Sequence, residues 1–215
     1  MTKSINIKRV ELKYLLNQNQ VNDFYHKLYR TPFSFIDDFE DRKINSLYFD
    51  KHDLEQLTNS TSGSNRKEKF RYRYYGNCEE RLYGQWEIKQ KTGLVTEKKT
   101  FQEIVDFNQL TKHIKEHGFS KIQTINNFLL KYPRIVKLIS YKRKYFISSI
   151  FGNQFRATLD YDITSSVIPK LRHQKRSVHS FLIIELKIDK DLYDNLKIDN
   201  FLNLSRIGFS KYVEA

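Results

Sequence analysis

A chain of 215 residues with one cysteine, Cys78, cannot be held by internal disulfides, and it fits a reducing compartment. Long hydrophobic runs are missing too. The longest purely aliphatic stretch is about Leu182–Ile184, far short of a membrane span. Met1–Leu16 has no apolar h-region, so no signal peptide is expected. Acid is scarce against base: 25 Asp and Glu face 38 Lys and Arg, a net charge of +13. The natural partner is therefore an anion: nucleic acid, polyphosphate, nucleotide or acidic membrane. A cytoplasmic location is expected, with any attachment to the inner membrane face coming from the basic surface or a partner. No internal repeat, linker or second composition regime is visible, so a single domain over residues 1–215 is expected. What is present is 39% hydrophobic and 14% aromatic residues, which argues against disorder and for one large core.

The stretch that organises the rest is Lys69-Phe-Arg-Tyr-Arg-Tyr-Tyr-Gly76. Read as a strand, it places Lys69, Arg71 and Arg73 on one face and Phe70, Tyr72 and Tyr74 on the other. Guanidinium groups then sit about 7 Å apart along one wholly cationic face. The planar fork of arginine suits phosphate oxygens, so two in register read as a clamp for consecutive phosphates. A solvated basic edge strand is the alternative for this stretch taken alone.

Along the chain, Ile7–Leu16 alternates as a strand. Asn17 or Asn19 can cap a helix carrying Val21, Phe24 and Leu28, stopped by Pro32. Ile44–Phe49 is a second strand ended by Asp50, which can cap a helical turn presenting Leu54 and Leu57. Asn59–Asn65 reads as a mobile loop, Tyr83–Lys91 as the hairpin partner of the clamp strand, and Gly93–Thr100 as a basic connection. Phe107–Phe119 is an amphipathic helix with Gly118 as its C-cap, and Thr124–Leu130 a short one before Pro133. Ile135–Ser148, Gln154–Ile163 and Ser180–Asp189 are strands, with a basic loop, Arg172–Arg176, between the last two.

One spacing recurs on three strands. Glu11-Leu-Lys13, Glu87-Ile-Lys89 and Glu185-Leu-Lys187 each set a carboxylate and an ammonium on one face, with an aliphatic residue opposite. Tyr141 and Arg143 share a face of another strand, and Arg156, Thr158, Asp160 and Asp162 a face of the next. A flat sheet would solvate these faces. A closed barrel, its apolar outside covered by the amphipathic helices, would gather them into a charged tunnel. The expected fold class is accordingly α+β, a closed antiparallel eight-stranded β-barrel with helices packed outside.

Eight segments in order carry a family resemblance: Arg9-Val-Glu-Leu-Lys13-Tyr, Ser46-Leu-Tyr-Phe-Asp50, Phe70-Arg-Tyr-Arg73-Tyr-Tyr-Gly76, Glu87-Ile-Lys89, Tyr141-Lys-Arg143, Arg156-Ala-Thr-Leu-Asp160, Ile184-Glu-Leu-Lys187 and Phe209-Ser-Lys211-Tyr. Together they resemble the VTC domain, the polyphosphate-polymerase domain of the vacuolar transporter chaperone complex, within the triphosphate tunnel metalloenzymes. The resemblance implies an eight-stranded tunnel that binds ATP and inorganic polyphosphate, with Mn2+ or Mg2+ held by acidic groups. Carried over by position, Lys13, Arg71, Arg73 and Lys89 are the implied catalytic residues. Tyr141, Arg143, Arg156, Lys211, Arg9 and Lys187 are the implied substrate contacts, and Glu185, Glu87 and Glu11 the implied metal carboxylates. Two departures stand out. Related tripolyphosphatases carry Glu-x-Glu-x-Lys on the first strand, where this chain has Arg9-x-Glu11-x-Lys13. A second lysine, three residues before Lys211, is replaced by Gly208.

Other candidates are weaker. His113 and His117 lie at i, i+4 with no third ligand near in sequence, so they read as surface histidines. The aromatic-basic strand lacks the glycine pattern of an RNA-binding sheet, so no nucleic acid is expected. Three functions remain: a polyphosphate polymerase using ATP, a triphosphate or polyphosphate hydrolase of the same fold, and a non-catalytic polyanion-binding module.

Overall fold

The structure, a computed structural model, describes residues 9–30, 33–77, 80–93, 95–112, 119–150, 153–167, 176–189, 193, 204, 206–208 and 210–214. Cys78, His113, His117, Gly118, the 172–175 part of the basic loop and the side chain of Arg9 lie outside the described residues. In chain order the elements begin with β1 (Arg9–Leu16), α1 (Val21–Arg30), β2 (Ile36–Asp37), β3 (Arg42–Asp50), α2 (Glu55–Thr61) and β4 (Arg66–Tyr75). There follow β5 (Arg81–Thr92), β6 (Val95–Asp106), α3 (Phe107–Lys112), α4 (Gln123–Lys131) and β7 (Arg134–Ile150). The last are β8 (Asn153–Val167), β9 (Arg176–Val178), β10 (Leu182–Asp189) and α5 (Lys211–Glu214). Among the described residues no helix is long and apolar enough to cross a membrane.

The chain divides into two compact units. One comprises Met1–Arg42, Lys142–Ile163 and His179–Phe209; the other comprises Lys43–Tyr141, Thr164–Val178 and Ser210–Ala215. In the first, β1 pairs antiparallel with β10, and β10 with β8. Their alternation gives two unlike faces. Leu12, Tyr14 and Leu16 of β1, Ile184, Leu186 and Ile188 of β10, and Phe155, Ala157 and Leu159 of β8 make an apolar core, closed by Phe24 and Leu28 of α1. A 3-10 turn, Gln18–Gln20, runs into that helix and carries the Asn17 cap. Asn17 and Gln20 cap reciprocally, the Asn17 side chain accepting from the Gln20 N–H at 3.2 Å and the Gln20 side chain accepting from the Asn17 N–H at 3.0 Å.

In the second unit β3, β4, β5 and β6 form an antiparallel series. Leu47, Phe49, Phe70, Tyr72, Tyr74, Trp86 and Ile88 fill one face, covered by Leu110 of α3 and Ile125 and Leu129 of α4. Phe70 and Trp86 stack at 5.3 Å. Leu54 is the N-cap position of α2, and the Asp50 carboxylate satisfies the first turn from the end of β3, accepting from the Gln56 N–H at 3.0 Å and the Leu57 N–H at 3.1 Å.

The sheet itself differs from the closed eight-stranded barrel expected above. Eight strands do lie on one hydrogen-bonded path, in the order β1-β10-β8-β7-β3-β4-β5-β6, but the path is open, and β2 and β9 bring the total to ten. The free edge of β1 has another occupant: Tyr14 bridges Arg206, and the Ile207 N–H donates to the Lys13 carbonyl at 3.0 Å. At the other end, β6 carries a run of exposed, charged positions through Lys98 and Lys99, the guise in which sheet edges resist further pairing. The supposed basic connection after Gly93 is therefore strand: Val95–Asp106 pairs with β5 over its whole length. The supposed Asn59–Asn65 loop begins as the end of α2.

Candidate functional site

In the second unit the aromatic residues of β4 are drawn to the core, and this fixes Arg71 and Arg73 on the opposite face. Register then sets their neighbours. Arg71 lies between Tyr48 on β3 and Glu87 on β5, and Arg73 lies between Ser46 and Gln85. Arg71 donates through Nε and Nη2 to Glu87 Oε2 at 2.9 and 2.5 Å, and through Nη1 to Tyr48 Oη at 2.7 Å. Arg73 Nη1 and Lys98 Nζ each lie 3.2 Å from Glu87 Oε1. One carboxylate, 2% exposed, thus serves three cations. Burial pushes the Glu87 pKa up, but Arg71, Arg73 and Lys98 outweigh it and hold the carboxyl well below the usual range. Burial depresses Lys98; Glu87 opposes this, and Arg71 and Arg73 add to it.

Among the described residues two buried atoms on this face have no partner: Arg73 Nε and Ser46 Oγ, which come from directly opposed residues. A buried donor left unmatched costs free energy, so the pair reads as a place awaiting an acceptor. Around it, Tyr48 stacks on Tyr212 at 4.7 Å, and Tyr212 donates to Asp50 Oδ2 at 2.6 Å. Burial would raise the Tyr48 pKa, yet Arg71, Arg73 and Lys211 bring it below the ordinary tyrosine value. Tyr141 is buried beneath Lys211, whose Nζ sits 4.8 Å from the ring centre. Lys89 is exposed and directly opposed to Lys69 and Lys98.

The first unit holds the remaining candidates on the polar face of β1, β10 and β8. Lys13 is opposed to Glu185, and Glu11 to Lys187. Along the strands Lys13 pairs with Glu11 at 3.0 Å and Lys187 with Glu185 at 2.8 Å, a two-by-two checkerboard of charge. Burial raises the Glu185 pKa, but Lys187, Arg143 and Lys13 bring it far below the normal value. Arg143 is bound bidentately by the fully buried Asp160, at 2.5 and 2.8 Å. Arg156 is exposed and opposed to Lys187. The Arg9 backbone pairs with Asp189.

The sequence candidates are therefore brought together in two groups: Arg71, Arg73, Lys89, Glu87, Tyr141 and Lys211 in one unit, and Glu11, Lys13, Arg143, Arg156, Glu185 and Lys187 in the other. Among the described residues no three or more His, Cys, Asp or Glu side chains form a cluster able to hold a metal by themselves. Glu87, expected as a metal carboxylate, lies within 3.2 Å of Arg71, Arg73 and Lys98. Tyr48, Lys98, Tyr212 and Asp160 were missed as site residues. Nothing local marks Tyr48, since it sits between Leu47 and Phe49 in an apolar run and only register places it against Arg71.

A family model for the VTC domain matches residues 8–215. No curated protein matches the chain. Its fold is similar to that of solved structures, among them the following two. One is a candidate adenylyl cyclase from Hippeastrum described as having a dominant triphosphatase activity, with 10% identity, a TM-score of 0.53, and coverage of 95% of this chain and 93% of that one. The other is a candidate adenylate cyclase from Bacillus halodurans, with 12% identity, a TM-score of 0.53, and coverage of 94% and 93%.

Proposed function

Because the chain belongs to the VTC domain family, we propose that it is a metal-dependent phosphotransferase that moves the γ-phosphate of ATP onto a growing polyphosphate chain. The observation that carries this reading is the cationic face of β4 and β5, where three cations share one carboxylate and Arg73 Nε has no partner among the described residues. Such a face is short of negative charge and short of an acceptor, and a phosphate oxygen supplies both. Lys13, Arg71, Arg73 and Lys89 are the groups proposed to bind the reacting phosphates. Tyr141, Arg143, Arg156, Lys211, Arg9 and Lys187 are proposed to contact the rest of the substrate.

Glu11 and Glu185 offer two hard carboxylates on one face of adjacent strands, which suits Mg2+ or Mn2+ completed by phosphate oxygens and water rather than a protein-only cage. Such an ion would neutralise charge on the transferred phosphate. The residues' own part is positioning. Arg71 is locked by Glu87 and Tyr48, so its guanidinium is oriented before substrate arrives. Phosphoryl transfer asks little covalent chemistry of the protein, and no nucleophilic side chain is required. The acceptor is the terminal phosphate of the chain.

Pure protein incubated with ATP and Mn2+, followed by sizing of the phosphate products, tests the proposal. Chains longer than the input phosphates are expected. Release of orthophosphate alone would make the protein a triphosphate hydrolase of the same fold, and no turnover with retained polyphosphate binding would make it a binding module.

A further inference from the structure

We propose that Tyr75, Tyr83 and Ile104 form a platform for the base of the nucleotide, so that the site holds ATP by its ring as well as by its phosphates. The inference rests on the phosphotransferase reading and adds a subsite to it. Register divides the clamp face of β3, β4, β5 and β6 into rows that cross the strands. One row is Tyr48, Arg71, Glu87 and Thr100; the next is Ser46, Arg73, Gln85 and Gln102. The row after that is apolar, with Ile44 opposed to Tyr75 and Tyr83 opposed to Ile104. Tyr74 is opposed to Gly84, which sets Tyr75 beside Tyr83. On the other side of Arg71 the row is lysine throughout, Lys69 opposed to Lys89 and Lys89 to Lys98. The face therefore has a direction, and only its Tyr75 end offers rings.

Single exposed apolar side chains are ordinary on a protein surface, but three side by side mark a place where something docks. Tyr75, Tyr83 and Ile104 are 45%, 63% and 58% exposed, and with Gln102 they line a cavity of about 400 Å³. Same-face residues follow one another at about 7 Å along a strand, so Tyr75 stands one step past Arg73 and two past Arg71. A nucleotide whose phosphates lie on the arginines reaches that far. The row between is polar: Gln85 Nε2 donates to Glu87 Oε1 at 2.6 Å, and Gln102 Nε2 donates to Gln85 Oε1 at 3.0 Å. This chain of amides leaves Gln102 Oε1 as an acceptor for a sugar hydroxyl. Charged, amide and aromatic rows thus succeed one another in the order phosphate, sugar, base. Stacking needs only the face of a ring, so the platform favours a nucleotide over an inorganic triphosphate without selecting one base.

Calorimetric titration with ATP, ribose 5′-triphosphate and tripolyphosphate, with Mn2+ present throughout, tests the platform. The wild type is expected to bind ATP about tenfold more tightly than ribose triphosphate, a difference of ~1.4 kcal/mol. Tyr75→Ala/Tyr83→Ala should erase that difference and leave tripolyphosphate binding unchanged, whereas Tyr75→Phe/Tyr83→Phe, which keeps the rings, should preserve it. Both side chains are exposed, so melting without ligand should be the same in all three proteins. Equal wild-type affinity for ATP and ribose triphosphate overturns the platform and leaves the clamp standing. So do equal losses of ATP and tripolyphosphate in the alanine variant. A change of oligomeric state in that variant with ATP affinity intact makes the patch an interface between copies and likewise overturns the platform. Arg71→Ala affecting neither ATP nor tripolyphosphate overturns the clamp reading, and the platform with it.

Discussion

Glu87 bears one negative charge against three positive ones, and at 2% exposure it has little water to lean on. Removing one partner of a buried ion pair costs about 3–5 kcal/mol, because the charge that remains is unmatched. Glu87→Gln is therefore expected to lower the melting temperature markedly in the absence of ligand. The same change strips a repulsive neighbour from an incoming phosphate, so tripolyphosphate should bind more tightly to the variant. An ordinary structural carboxylate would lower both stability and affinity, so calorimetric titration beside a melting scan separates the two roles. Acid gives the same residue a second signature. A carboxyl whose folded pKa is depressed contributes stability that is complete above its unfolded value, near 4.3, and lost as pH falls towards the folded one. Stability should thus decline on acidification below about pH 5, and Glu87→Gln should flatten that slope. Gly208 poses the opposite case. Among the described residues a side chain there meets nothing within 4 Å, so a lysine is sterically free to enter. Gly208→Lys should fold normally and tighten polyphosphate binding, which a titration would reveal.

At the level of elements, Gly84 shows how tightly β5 is laid against the clamp strand. A Cβ on Gly84 would come within 2.2 Å of the Arg73 carbonyl oxygen and 2.9 Å of the Tyr72 ring, and neither backbone nor buried ring can yield cheaply. Gly84→Ala is expected to lower stability by an overpacking cost of about 1–3 kcal/mol and to weaken tripolyphosphate binding by displacing Arg73. Unchanged melting and unchanged affinity would mean that β4 gives way without moving its guanidinium. Elements of this kind were legible wherever period-two alternation was strong: β1, β4, β5 and β10 declare their apolar faces in the sequence, and so does the Asn17 cap. β6 was hidden because its charges, Lys98 and Lys99 above all, read as a connection. The signal that could have found it is Gly93, whose φ of +58° turns the chain between paired Thr92 and Val95. The open edge was illegible for a different reason. Which segment covers β1 depends on Arg206 and Ile207, nearly two hundred residues downstream, and no local pattern reports such a pairing. The site divides in the same way: the arginines come from alternation within one strand, whereas Tyr48 and Glu87 become their partners only through register.

The whole molecule carries +13 charges, and a cationic surface stores repulsion that a bound anion releases. Two like charges about 4 Å apart cost ~4 kcal/mol at an effective dielectric near 20, so even partial relief on the Arg71–Arg73–Lys98 face is a sizeable fraction of a domain's stability. A ligand that binds only the native state adds stability by mass action, about 2.7 kcal/mol at a hundred times its dissociation constant. Tripolyphosphate should therefore raise the melting temperature strongly, and sulfate at equal ionic strength should raise it less, since sulfate brings less charge and fewer oxygens to the cationic face. Added salt should shrink the tripolyphosphate shift as exposed cations are screened, but not abolish it, because Arg73 is largely shielded from water and its contact is charge-assisted. Arg71→Ala should remove most of the shift; Lys27→Ala, in the half-buried last turn of α1 and already paired with Asp23, should leave it intact. If both substitutions reduced the shift equally, binding would follow net charge alone, and the precise register of β3, β4 and β5 would be irrelevant to it. If only the arginine mattered, the specificity would reside in the strand pattern that sets two guanidinium groups side by side on one face.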